Sequence, residues 1–349
     1  MEKIRVGIAG FGMSAHIFHA PFLSADPRYE IRKFFLRTGE ASKAEYPDAQ
    51  IVRSFDQLLT DDIDLVVLSV PNPLHFALAR QALLAGKHVV VEKPITRAGA
   101  EAQTLCDLAK AQGKLLTVYQ CRRLDGDFRT VQQVIASGKL GEVVDYEAHF
   151  DRFWWGKSNK AWKTSGAPGI NILYDLGVHI IDQAYTLFGM PQAVYADFRR
   201  QRETTAAPFD RFTVTLYYPT HNAVLSAGEI VALPGPRYAV HGRKGSFLKY
   251  GQDVQEAALI AGKRPKGDPD WGKDVPENYG TLKLMGEQGA FTVEQVPTVA
   301  GNYSLFYDNL YHAIAEGAEL LVKPEQTVDV LRILEAALQS GEEQRRIEL

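Results

Sequence analysis

Cysteine is nearly missing from this chain. Cys106 and Cys121 are the two in 349 residues, and neither belongs to a C-x-x-C pair. That excludes a disulfide-built scaffold and a cysteine-rich zinc site, and it predicts a reduced, cytoplasmic protein. Long apolar runs are missing too, since no stretch approaches the roughly 18 residues of a membrane helix. The start, "MEKIRVGIAG", enters a strand pattern at once, so no signal peptide is expected. Neither charge sign dominates: Lys and Arg number 39, Asp and Glu 42, for a net charge of -3. That balance speaks against a nucleic-acid or membrane surface. Low-complexity tracts, long charge runs and internal repeats are also lacking.

What remains reads as an ordinary globular protein, 46% hydrophobic and 23% charged, long enough for two domains. In the first third, short apolar runs alternate with helical patterns. "IRVGIA" (4–9), "YEIRKFFL" (29–36), "DLVVLSV" (64–70), "KHVVVE" (87–92) and "KLLTVY" (114–119) are strand candidates. "PLHFALARQALLAG" (73–86) and the stretch from Thr96 to Gln112 have helical spacing, and "SFDQLL" (54–59) carries a capping-box pattern. Near-continuous apolar strands between helices predict a parallel sheet covered on both faces. After about residue 120 the pattern changes. "VVDYEAHFD" (143–151) alternates, and "AVYADFRR", "RFTVTLYY", "AVLSAGEI" and "RYAVHG" follow as further strand candidates. "PEQTVDVLRILEAALQSG" (324–341) is the last long helical stretch. The expected architecture is a Rossmann dinucleotide-binding domain over 1–121. A second, α+β domain over 122–349 is expected on a mostly antiparallel, open sheet, for substrate binding and oligomerisation.

The first strand runs into Gly10-x-Gly12-x-x-Ala15, with Phe11, Met13 and Ser14 between and beside the small residues. The first glycine allows a tight turn, the second a close approach of backbone to a pyrophosphate, and the third small residue close helix packing. At the end of the second strand, where an acid would select NAD, stand Arg37 and Thr38, with Glu40 a little later. An arginine there suits a 2′-phosphate, so NADP is expected ahead of NAD. Val70, Pro71, Asn72 and His75 follow the fourth strand and are expected to wall the nicotinamide ribose.

"VVVEKPI" poses a question of its own, because Glu92 and Lys93 put two charges at the end of a buried strand. Taken with "GFGMSAHIFHAPFL", "SVPNPLH" and "YDLGVHIIDQ", it resembles the Gfo/Idh/MocA family of sugar and polyol dehydrogenases over essentially the whole chain. Within that family "CRRLDGDF", "FDRFWW", "PRYAVHGRKGSFLKYGQDVQEAA" and "DWGKDVPENYG" resemble its scyllo-inositol dehydrogenases that use NADP. Cys121 ahead of the arginine pair and "WWGKSNKAWKTSGAPGI" depart from their usual wording. The resemblance implies that Lys93 lies beside nicotinamide and substrate, and that Asp175 and His179 complete the site. It further implies a cis Lys93–Pro94 bond, Trp162 near the cofactor, a small polyol or sugar as substrate, and a homodimer or larger homo-oligomer.

The residues support this chemistry in their own right. Oxidising a secondary alcohol needs a hydride acceptor and a base for the hydroxyl proton. Lys93 stands at a strand's carboxyl end, where open α/β sheets bind ligands, and its ammonium can donate to a substrate oxygen. Glu92 is expected to line the cofactor site beside Lys93, and either to limit the fall in the lysine's pKa or to anchor the turn. Asp175 and His179 are four apart on a helical pattern and share a face, with His179 the acid–base candidate and Asp175 orienting it or binding a hydroxyl. Tyr119 and Arg123 are further substrate-binding candidates. No third ligand accompanies Asp175 and His179, and His16 with His19 suits helix packing or the cofactor cleft better than zinc, so no metal is expected. Two alternatives stay open: a regulator that binds NAD(P) without catalysis, and a glycosidase-type enzyme that uses NAD as a transient oxidant.

Overall fold

The computed structural model describes residues 3–155, 169–203, 207–286 and 288–349. They divide into two compact units. The first takes in the chain up to Cys121 together with Glu256–Pro269 and Asn302–Val328, and the second takes in Arg122–Gln255, Asp270–Gly301 and Asp329–Leu349.

The first unit holds a parallel sheet of β1 (Ile4–Ala9), β2 (Tyr29–Phe35), β3 (Gln50–Val52), β4 (Leu65–Leu68), β5 (His88–Val91) and β6 (Leu116–Val118), in the order β3-β2-β1-β4-β5-β6. Residues of β4 are buried throughout, and those of β5 from Val89 on, as strands covered on both faces must be. The strand order reverses at β1, flanked by β2 and β4, so the loops after β1 and β4 open onto one crevice at the carboxyl edge. Helices α1 (Ala20–Ala25), α2 (His75–Leu84) and α3 (Gly99–Ala111) connect the strands, and α4 (Gly126–Ala136), α5 (Val178–Phe188), α6 (Gln255–Ile260), α7 (Ser304–Glu316) and α8 (Pro324–Glu343) follow along the chain. A π-helical turn, Ala15–His19, precedes α1. Pro21 explains it: a proline ring cannot donate to the preceding turn and crowds it, so the ladder widens just upstream. Helix α7 (Ser304–Glu316), from the distant returning segment, docks on this unit through the Tyr29 hydroxyl, which donates to Tyr307 O at 2.7 Å.

The second unit is built on a sheet of nine strands among the described residues, β14-β13-β12-β11-β7-β10-β9-β8-β15. These are β7 (Val143–His149), β8 (Ala193–Arg199), β9 (Arg211–Tyr217), β10 (Asn222–Gly228), β11 (Tyr238–Gly242), β12 (Gly245–Lys249), β13 (Gly280–Met285), β14 (Phe291–Val296) and β15 (Ile347–Glu348). Pairing of β7 with β10 is parallel, and the other neighbours run antiparallel. Alternation on β9 buries Phe212, Val214 and Leu216 and leaves the residues between them half-exposed, so one face carries the core. In β7 Tyr146 and Ala148 are buried, as is Phe150 just beyond it, whereas Val144 at the strand's start is exposed. Helix α5 (Val178–Phe188) is tied to β11 where the Tyr238 hydroxyl donates to Gln183 Oε1 at 2.9 Å.

Candidate active site

The glycine turn follows β1 as its spacing requires. Gly10 has φ +92°, and a Cβ there would lie 2.4 Å from Ser69 O, so no other residue fits between β1 and the end of β4. Gly12 is exposed, and a Cβ there would meet nothing within 4 Å. Its backbone faces an open cradle at a helix start, where amide N–H groups and the helix dipole favour an anion. The residues therefore fit the pyrophosphate of a dinucleotide. Ala15 is fully buried, the close packing that its position demands. Phe11 stands edge-on to Phe34 of β2 at 5.2 Å, pinning the turn to the sheet, while Met13 points to solvent.

Arg37 and Thr38 are exposed just beyond β2, and Arg37 makes no ion pair among the described residues. Across the crevice, Pro71 is exposed and Val70 and Asn72 are half-buried after β4. His75 is buried, with Nδ1 2.8 Å from Pro94 O and Nε2 2.9 Å from Val70 O. Burial pushes its imidazole pKa below the ordinary 6.5, against the pull of both carbonyls and of Glu92. The neutral ring carries one N–H, so His75 donates to one of these carbonyls and packs against the other, where the loop after β4 meets the loop after β5.

That second loop carries Glu92 and Lys93, and the Lys93–Pro94 bond is cis. Glu92 accepts from the Ser14 hydroxyl and, at 2.8 Å, from His19 Nε2, and its other oxygen accepts from Lys93 N at 3.1 Å. A carboxylate can only accept, so His19 Nε2 is the donor, and in the neutral ring Nδ1 takes the proton of Tyr307 OH, 2.6 Å away. Burial pushes the Tyr307 phenol well above its ordinary value, which keeps that proton in place. Burial alone would raise the Glu92 pKa, but His19, Ser14 and Lys93 outweigh it and hold the carboxyl below its ordinary 4.5. The buried charge at the end of β5 is thus paired. Lys93 emerges half-buried from a turn that Glu92 holds at one amide, with the His75 ring against the next carbonyl.

The substrate candidates fall in both units. Tyr119 follows β6 in the first unit and is 1% exposed, its ring 4.4 Å from that of His19 and 4.8 Å from that of Phe306. In the second unit, Asp175 lies half-buried in a π-helical turn, Leu173–Gly177, and His179 lies buried in the first turn of α5. Such turns recur at functional sites, and widening the ladder still leaves residues four apart on about one side. Arg123 is buried and gives Nε and Nη2 to Asp182 at 2.8 and 2.7 Å. That bidentate pair turns its guanidinium onto α5. Trp162 lies outside the described residues. Sequence reasoning did not assign Glu92 its partner His19, nor His19 its partner Tyr307. The available signal was the buried acid itself, which had to have a donor.

Comparison with known proteins shows the family. Residues 4–120 match the oxidoreductase family model described as an NAD-binding Rossmann fold, and residues 132–349 match the same family's C-terminal alpha/beta domain. The chain is 41% identical to the scyllo-inositol 2-dehydrogenase (NADP(+)) of Bacillus subtilis (strain 168), over 100% of this chain and 97% of the relative. An oxidoreductase structure from Bacillus subtilis superposes with a TM-score of 0.96 at 41% identity, covering 100% of this chain and 99% of the other. One from Yersinia pestis superposes with a TM-score of 0.93 at 36% identity, covering 100% and 97%. With both domains matched along nearly its whole length, the chain belongs to the Gfo/Idh/MocA oxidoreductase family.

Proposed function

We propose that this protein is an NADP-dependent dehydrogenase of a cyclic polyol or sugar, with scyllo-inositol the leading substrate. The net reaction converts a secondary alcohol and NADP⁺ into a ketone, NADPH and a proton, and it is reversible. One observation carries the reading: the Lys93 turn is held by Glu92 at its amide, with the buried His75 ring against the Pro94 carbonyl. A merely solvated lysine would not need a partly buried carboxylate and a buried imidazole against its backbone.

The nicotinamide, when bound, supplies the hydride acceptor. Gly10 and Gly12 hold the pyrophosphate at the turn after β1, with Ser14 beside them, and Arg37 with Thr38 takes the 2′-phosphate. Val70, Pro71 and Asn72 wall the nicotinamide ribose. Lys93 donates from its ammonium to the reacting oxygen and polarises it. His179 takes the hydroxyl proton in oxidation and returns it in reduction, with Asp175 orienting its ring. The name of the Bacillus subtilis relative supports both the inositol and the NADP assignment.

The test is a cofactor-reduction assay with scyllo-inositol, myo-inositol and common aldoses, each with NADP and with NAD. Turnover with an inositol and NADP is expected, and Lys93→Ala should lower it by about 100-fold or more while cofactor still binds. Cofactor binding without turnover on any compound, or a Lys93→Ala variant as active as wild type, would overturn the reading.

A further inference from the structure

The turn that carries Arg37 and Thr38 has a brace of its own. Arg53, in the loop after β3, donates from Nη1 to Leu36 O at 3.0 Å and to Gly39 O at 2.7 Å. One nitrogen thereby clamps both ends of the turn that presents Arg37 and Thr38. Gly39 sits at φ +72°, so the chain reverses sharply between those two carbonyls. The brace is itself fixed. Gln57 Oε1 accepts from Arg53 N at 2.9 Å and from Ser54 N at 3.1 Å, and Leu36 N donates to Val52 O at 3.1 Å. The same guanidinium faces Glu40, 3.6 Å away, the one acid in this turn. Arg37 is left exposed and without an ion pair among the described residues.

We propose that Arg53 is a positioning residue for cofactor choice. By bracing residues 36–39 it presents Arg37 and Thr38 to a 2′-phosphate, and by facing Glu40 it keeps that carboxylate from repelling the phosphate. The inference rests on the NADP reading of this site. A brace of this kind acts on the phosphate and leaves the rest of the dinucleotide largely alone. Its signature is therefore the ratio of NADPH to NADH affinity, which general loosening of the fold would not move.

The experiment is fluorescence titration of the full chain with NADPH and with NADH, in wild type, Arg53→Ala, Arg53→Lys and Arg53→Ala/Glu40→Gln. Wild type should prefer NADPH. Arg53→Ala should weaken NADPH about tenfold more than NADH, the scale of one lost charge-assisted contact. Arg53→Lys retains a donor for the carbonyls and should fall between, which carries the test should the alanine variant not fold. Adding Glu40→Gln to Arg53→Ala should recover part of the ratio. Equal loss of both cofactors, or an unchanged ratio, overturns the inference. Wild type that binds NADH as tightly as NADPH overturns the NADP reading and takes the inference with it.

Discussion

Replacing Glu92 with Gln tests whether the buried carboxylate is the keystone of the Lys93 turn. Its oxygens accept from Ser14, from His19 at 2.8 Å and from Lys93 N at 3.1 Å. A glutamine amide offers one acceptor and one donor, so at least one of these bonds becomes a donor–donor conflict. The rest lose charge assistance, worth roughly 1 kcal/mol each, and the lost bond costs about 1.5–3 kcal/mol. Relief of burying a charge offsets part of this, leaving a cost of about 2–3 kcal/mol near pH 7. The pH dependence follows from the depressed folded-state pKa. Below about 4.5 the unfolded chain takes up the proton before the folded one does, so the Glu92 contribution is complete above 4.5 and is lost as pH falls through the lower folded value. Urea unfolding of wild type and Glu92→Gln from pH 7 down to pH 3.5 should show the gap between them closing in the acid range. A gap below about 0.5 kcal/mol at pH 7, or one that does not change with pH, would refute the paired carboxylate.

Two more outcomes concern the second unit. Asp182→Ala removes the bidentate carboxylate from the Arg123 guanidinium, which is 6% exposed, and should cost about 3 kcal/mol in urea unfolding. A loss under 1 kcal/mol would show that Arg123 has another counter-charge. Asp253 has the opposite sign to Glu92: burial, then repulsion from Asp127, pushes its carboxyl up from the ordinary 3.8 to about 6. The folded state therefore holds this proton more tightly, so wild type should gain up to ~3 kcal/mol relative to Asp253→Asn as pH falls from 7 to 4. Parallel stability curves for the two would exclude that burden on Asp253.

Several elements were legible because their causes are local. The strands β4 and β5 are unbroken apolar runs because helices cover both their faces, and that run is visible in "LVVL" and "HVVV". The glycine turn is legible because only glycine tolerates φ +92° against the Ser69 carbonyl. The strands β8 to β11 follow their alternation to within two residues at each end. By contrast, β3 has three residues, and β14 is exposed at nearly every position, so neither shows a period to read. The π-helical turns at Ala15–His19 and Leu173–Gly177 are not legible, because apolar spacing does not register a single widened turn.

By itself, then, the sequence determined the doubly wound first sheet, the dinucleotide turn, the strand-end position of Lys93 and the family. Each follows from residue type and near-neighbour spacing. Only the tertiary structure decided which groups hold that lysine. His19 is 73 residues from Glu92, and Tyr307 is 288 residues from His19. His75 reaches Pro94 across two loops, and Arg53 reaches Leu36 from the next strand's end. Helix α7 comes back to the first unit after an excursion through the second. Such pairings have no spacing to betray them. They exist because a buried charge or carbonyl must find a partner, and folding decides which distant residue supplies it.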